Sequence, residues 1–279
     1  MEKTKVPQIF DEKAQTLTRN RAQNRMTKNG PSFLLTRAAE DAASRIADIN
    51  RQFERGVVLS PVDMRATILS DLPSGRQPKK LDWQDRLEGV NGEYDLIISL
   101  LELQTENDLP GALVRLRQHL EADGLFTAAL FGGDSLSNLR QTLYTADSAI
   151  FGGATARVYP MIDHQQAAAL LGRAGLSLPV VDKDRVNVTY GKLKTLVNDL
   201  RDLGLTNTLT ARHKAPLPKG YLEAIEAAYP KTDDGKFPSQ FEILWLTGWS
   251  PHESQQKPLK PGSAKMRLAD ALGTDEKKV

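Results

Sequence analysis

From Ser32 onward, SFLLTRAAEDAASRIADI sets Leu35, Ala38, Ala39, Ala42, Ile46 and Ile49 three and four residues apart. That is the spacing of one helix face, with Ser32 as the expected N-cap. Gly56 then introduces Val57-Val58-Leu59, a continuous apolar run of the kind a strand covered on both faces requires. Tyr94 to Leu103 (YDLIISLLEL) and Leu125 to Phe131 (LFTAALF) are two more such runs. Between them Asp108 and Pro110 open a helix whose Leu113, Leu116 and Leu120 share a face and which Gly124 is expected to close, so 94–131 reads as one βαβ unit. Asp134 is expected to cap a helix through about Ser148, and Asp163 one that Gly175 ends. A strand pattern covers Val180–Tyr190. Helical spacing returns at Leu193–Leu203 and Tyr221–Tyr229, and Phe241–Trp249 (FEILWLTGW) reads as the last strand. Strands alternating with helices predict an α/β layered domain.

The flanks are different. Residues 1–30 are polar and basic, with too few apolar positions for a continuous buried face, and read as an N-terminal surface arm ending at Gly30-Pro31. Residues 250–279 read as a polar, proline-punctuated tail, leaving 31–249 as the domain, with a helical insertion at about 191–236. The 279 residues, 40% apolar and 26% charged, suit an ordinary globular chain. The absence of cysteine excludes disulfides, cysteine-ligated metal and thiol catalysis from this polypeptide. With 37 basic against 35 acidic side chains, charge argues against nucleic acid as an obligatory partner. The first thirty residues show neither a secretory signal nor an acid-free transit peptide, and no membrane span is visible, so a cytoplasmic location is expected, with the mitochondrial matrix left open.

In an open parallel sheet, ligands bind beyond the carboxyl ends of the strands. After the first strand comes Ser60-Pro61-Val62-Asp63-Met64, with no glycine to let a backbone approach a nucleotide; Pro61 also lacks an N–H, and Val62 resists a positive φ. The roughly 34 residues from Leu59 to Tyr94 cannot hold two further βα units, leaving Lys80-Leu81-Asp82-Trp83 as one short strand end. Asp82 can bind a ligand hydroxyl or simply cap a turn. Gln104, Thr105, Glu106 and Asn107 follow the second apolar run where a substrate would lie, or dress the next helix start. Gly132-Gly133-Asp134 permits a sharp bend. Arg157, beyond Gly152-Gly153, suits a carboxylate, with Tyr159 beside it; a solvated arginine is the plainer alternative. His119, His164, His213 and His252 form no i, i+4 pair, so no metal site is expected.

Five segments carry a wider resemblance: IFDEKAQTLTRNRA, SRIADINRQF, NDLPGALVRLRQHLEADGLFTAALFGGDSLSNLRQ, LLGRAGLSLPVVDKDRVNVTY and WLTGWSPHESQQKPLKPGSAK. Together they make the chain resemble the class I S-adenosylmethionine-dependent methyltransferases, in the branch of the mitochondrial complex I assembly factor 5 proteins and their bacterial relatives. The malonyl-carrier-protein methyltransferases are similar at greater distance. The resemblance implies a Rossmann-like fold with a mostly parallel sheet, an antiparallel last strand, extra C-terminal helices and, in this chain, a truncated second-strand region. It implies S-adenosylmethionine near Ser60, Asp63, Asp82, Trp83, Ser99 and Leu100, no metal, and Gln104, Arg157 and Tyr159 on the side of a protein partner, such as a respiratory complex subunit.

The chain departs from that family where the cofactor would lie. Leu59-Ser60-Pro61-Val62-Asp63 stands where the family has an Asp-x-Gly-x-x-x-Gly-like turn, and Gln104-Thr105 where it has His-Trp. Counting back from Tyr94-Asp95, Asp82 matches the family's adenine-side aspartate, so the ribose-binding strand is the expected loss. Each lost hydrogen bond is worth about 1–3 kcal/mol, so affinity is expected to fall by roughly two to four decades. The readings carried forward are a scaffold with an eroded cofactor site, an active methyltransferase on a protein or carrier-bound acyl substrate, and a nucleic-acid binder using the basic arm.

Overall fold

The computed structural model describes residues 7–256. Two helices come first, α1 (Glu12–Asn29) and α2 (Phe33–Ala47), followed by β1 (Arg55–Leu59), α3 (Arg65–Asp71) and β2 (Lys80–Gln84). The central unit is β3 (Tyr94–Leu100), α4 (Leu109–Gln118) and β4 (Leu120–Phe131). Then come α5 (Ser137–Phe151), α6 (His164–Arg173), β5 (Ser177–Tyr190), α7 (Leu193–Asp202), α8 (Tyr221–Ala228) and β6 (Phe237–Trp249).

The six strands form one sheet in the order β2-β1-β3-β4-β6-β5, with β6 running against both neighbours and the rest parallel. Alternation along each strand separates two cores. Val58, Leu96, Ile98 and Ala129 face α2 and α3, while Val57, Ile97, Phe126 and Ala128 face α4 and α6. Both faces are covered, which is why β1 and β3 read as near-continuous apolar runs. The edge strand β5 has exposed charges on both faces: Asp182 and Asp184 pair with Arg45 and Arg37 of α2, while Lys183 and Arg185 lie near Glu242 on the other side.

Several local expectations change. The stretch read as a surface arm contains the 18-residue α1, capped by Asp11, with only Ala22 and Met26 buried. Ser32 precedes α2 without making a capping bond. Gly124 lies inside β4, and α4 ends six residues earlier at Gln118. Asp134 caps no helix; it pairs with Arg185, and α5 starts at Ser137 after Leu136 in a left-handed turn. Gly132 is needed for close approach, since a Cβ there falls 2.5 Å from Glu242 Oε1. Asp163 caps α6 with a full capping box, as its spacing predicts. The tail beyond Gln256 lies outside the described residues.

One expectation about topology is corrected by hydrogen-bond register. β2 pairs directly with β1, Val57 opposite Asp82 and Leu59 opposite Gln84. The one strand between β1 and β3 in sequence therefore takes the inner position, and it is the outer one that the shortened segment does not fill.

Candidate functional site

The sheet order reverses between β1 and β3: the chain leaves β1 for β2 on one side and β3 for β4 on the other. A crevice opens at the carboxyl ends of such a pair. Here it is a cavity of about 420 Å³ bounded by Pro61 after β1, Arg86–Glu88 after β2 and the Leu101–Asp108 segment after β3. Tyr159 and Thr208 close one side, and Glu12, Gln15, Thr16 and Arg19 of α1 form its roof.

The roof is tied down by polar side chains. Arg19 pairs with Glu102, which is 4% exposed, and also donates to the Asp85 carbonyl. Gln23 Nε2 donates to the Pro61 carbonyl at 2.9 Å, and Gln15 Nε2 to the Thr105 carbonyl at 2.6 Å. Just before α1, the amide of Phe10 donates to Asn107 Oδ1 at 2.8 Å. The loops after β1, β2 and β3 are thus all bonded to one N-terminal segment.

The cavity lining sets the carboxylates of Glu12, Glu88, Glu102, Glu106 and Asp108 against the guanidinium groups of Arg19, Arg86 and Arg115. Among the described residues, Glu88 and Glu106 have no ion-pair partner, and Gln104 Oε1 is buried without a donor. Burial raises the Glu106 carboxyl above its ordinary range and the Glu88 charge adds to this, with Arg115 and Arg19 opposing. The Tyr159 hydroxyl is also raised by burial and is already bonded to Thr206 O and Thr208 Oγ1.

Of the nine residues singled out from sequence, the cavity brings together Gln104 and Tyr159. Ser60 is fully buried and closed on itself: its N–H donates to Gln84 O at 3.1 Å, its Oγ to Val62 O at 2.7 Å, and its carbonyl accepts from Trp83 Nε1 at 3.1 Å. Asp63 is held by Arg65 through two guanidinium nitrogens, 2.7 and 2.9 Å away, and the same arginine holds its carboxyl below the ordinary range. Asp82 sits in the middle of β2, drawn by Arg55 at 3.3 Å and Lys80 at 3.2 Å toward the amino ends of the strands, away from the cavity. Ser99 and Leu100 are fully buried at the end of β3, Ser99 Oγ having no partner. Arg157 turns away to Asp147, whose two carboxylate oxygens lie 2.8 Å from its Nε.

Sequence reasoning passed over Arg19, Glu102 and Asp85. Asp85 directly follows β2, the strand beside β1, and there accepts from Gln23 Nε2 at 3.3 Å. The available signal was IFDEKAQTLTRNRA itself, a segment with almost no apolar face yet one of the five that carried the resemblance. Among the described residues no group of three or more His, Asp or Glu side chains converges in a metal-binding arrangement, and no helix is long and apolar enough to cross a membrane.

No family model matches the chain. Curated proteins do. It is 36% identical over 195 residues to a protein of Dictyostelium discoideum called arginine-hydroxylase NDUFAF5, mitochondrial, covering 68% of this chain and 45% of that one. It is 30% identical over 213 residues to a malonyl-[acyl-carrier protein] O-methyltransferase of Laribacter hongkongensis, covering 73% and 70%. The chain belongs to the class I methyltransferase superfamily, in the branch of these proteins. Its match thus spans about half the length of the Dictyostelium relative. Among solved structures, a putative methyltransferase of Bacillus halodurans aligns with a TM-score of 0.47 at 8% identity, over 76% of this chain and 99% of that one. The single antiparallel strand, β6, and the β1/β3 switch point are the parts of the superfamily's architecture this chain displays directly.

Proposed function

We propose that this member of the branch is a methyltransferase-fold scaffold of the complex I assembly factor type, which binds a partner protein at the carboxyl edge of β1 and β3 and no longer holds S-adenosylmethionine tightly. The observation carrying this reading is the bend at Ser60. A nucleotide cofactor needs free backbone donors and a close approach there; the Ser60 N–H is engaged by Gln84 O, Pro61 has none, and Gln23 of α1 is bonded to the Pro61 carbonyl. Asp82, the expected adenine-side carboxylate, faces the other end of the strands. Both features support a site that no longer holds the group tightly.

For the partner, the cavity favours a cation. Two carboxylates without ion-pair partners among the described residues and an acceptor without a donor suit a guanidinium, which brings five N–H groups and a fixed charge. The name of the Dictyostelium relative, an arginine hydroxylase, is consistent with an arginine side chain. The enzymatic reading has one observation in its favour: Asp85 follows the strand beside β1, where a carboxylate can reach sugar hydroxyls.

Isothermal titration separates the two. The scaffold reading expects no saturable heat with S-adenosylmethionine up to about 1 mM. A micromolar dissociation constant that Asp85→Asn abolishes establishes the enzymatic reading instead. For the partner, the protein co-purifying with the native chain is identified by mass spectrometry, and Glu106→Arg is expected to release it; retention by that variant places the interface elsewhere.

A further inference from the structure

α1 is an unusual roof. A helix that packs as part of a core shows an apolar stripe, whereas this one buries only Ala22 and Met26 along 18 residues. Its attachment is mainly a set of side-chain bonds: Arg19 to Glu102 and Asp85 O, Gln23 to Pro61 O, Gln15 to Thr105 O, Arg25 to the more exposed Asp202 of α7, and Thr18 Oγ1 to Thr206 Oγ1 at 3.1 Å. Of its own side chains, lifting it withdraws only Ala22 and Met26 from the core, so its release costs less than global unfolding. One bond differs from the rest. Glu102 is buried, and a buried carboxylate left without a cation is strongly unfavourable.

We infer that α1 is an autoinhibitory latch: Arg19 seats its guanidinium on Glu102, where a partner's cationic side chain would otherwise go, and the cavity opens when such a side chain displaces it. The exchange keeps Glu102 paired throughout, since one cation replaces another. This rests on the partner reading above for the identity of the displacing group. The latch itself is tested without any partner.

Hydrogen–deuterium exchange of the whole chain provides the test, with α2 as internal reference. Peptides from α1 are expected to exchange at least about tenfold faster than those from α2, because they open locally. Glu102→Gln, and independently Arg19→Met should that variant fail to fold, are expected to speed α1 by a further factor of about ten and leave α2 and β4 unchanged. N-acetyl-arginine amide at about 10 mM is expected to speed α1 in the native chain, which the uncharged citrulline analogue does not do. Because the chain has no cysteine, Thr18→Cys with Thr206→Cys forms a clean lock, and its oxidised form is expected to slow α1 to the rate of α2. If α1 and α2 exchange together in the native chain and in both variants, α1 is part of the core and the latch is wrong. An α1 freed by Glu102→Gln but indifferent to the arginine amide overturns the displacement. In neither case is partner capture by the native chain affected, so the two readings fail separately.

Discussion

The indole Nε1 of Trp83 lies 3.1 Å from the carbonyl oxygen of Ser60, joining the end of β2 to the bend after β1. The bond uses a buried acceptor where the crevice at the carboxyl end of β1 begins, and Trp83 packs against the α2 side of the core at the same time. Trp83→Phe keeps much of the packing and leaves a buried carbonyl unsatisfied. A loss of about 1–3 kcal/mol is expected, read as a lower denaturation midpoint with an unchanged slope. A midpoint equal to the native one means the bond carries no net stability.

Asp147 is the centre of a second knot. Fully buried on α5, it accepts from Arg157 Nε, from the amide and hydroxyl of Thr155 and from Tyr221 OH, and the Arg157 guanidinium lies over the Tyr221 ring at 4.8 Å. It fastens the 152–158 crossing to α5 and α8. Asp147→Asn keeps a similar shape but leaves the Arg157 charge buried and unpaired, so a loss of about 3–5 kcal/mol is expected in thermal or urea denaturation. A change below about 1 kcal/mol means that the knot is dispensable.

The same carboxylate sets an acid dependence. Burial works to raise its pKa, but the bonds from Arg157, Thr155 and Tyr221 outweigh it and lower the value from 3.8 to about 2. Since the folded value lies below the unfolded one, its contribution is present above about pH 4 and is lost as pH falls toward 2, by roughly 2 kcal/mol. Stability measured between pH 5 and pH 2 is expected to fall less steeply in Asp147→Asn than in the native chain by that amount. Parallel curves exclude Asp147 as a source of the acid dependence.

Gly132 tests close packing at the end of β4. A methyl group there meets Glu242 Oε1 at 2.5 Å and Leu244 Cγ at 2.8 Å, both on the neighbouring β6. Gly132→Ala is expected to cost about 1–3 kcal/mol, and its denaturation midpoint measures this directly. A neutral outcome shows that the Glu242 side chain moves aside freely.

Asn107 holds the chain ahead of α1 in both directions, accepting from Phe10 N and donating to Phe10 O at 3.3 Å. Asn107→Ala is expected to raise exchange at residues 8–11 while global stability changes by about 1 kcal/mol. Unchanged exchange there shows that the Phe10–Tyr159 ring contact, at 5.0 Å between centroids, suffices alone.

The layered fold was legible because its signals are those of burial: near-continuous apolar runs at 57–59, 94–100 and 125–131, and helical spacing at 35–46, each marking an element that a core covers. What failed was whatever is held by polar contacts or set by register. α1 has almost no apolar face, so periodicity had nothing to detect, and its anchors are arginine and glutamine side chains reaching other segments. Counting along the chain drew attention to Asp82, while only the pairing of β2 with β1 shows that Asp85 is the carboxylate at the cavity end. Arg157 and Tyr159 are two residues apart in an irregular crossing that has no period, and they part company, one to Asp147 and the other to the cavity wall.

The alternating charges along β5 bear on how copies of this chain meet. Two copies joining their outer β5 edges antiparallel are related by a two-fold normal to the sheet, and residues that face each other across such a seam come from the same side of the strand. Asp182 would then confront Asp184 or itself, and Lys183 would confront Arg185, so every register near the middle of the seam sets like against like. The longest border of the sheet is in this way guarded against zipping to its twin, and fibril growth along that direction is discouraged by the charges β5 itself carries.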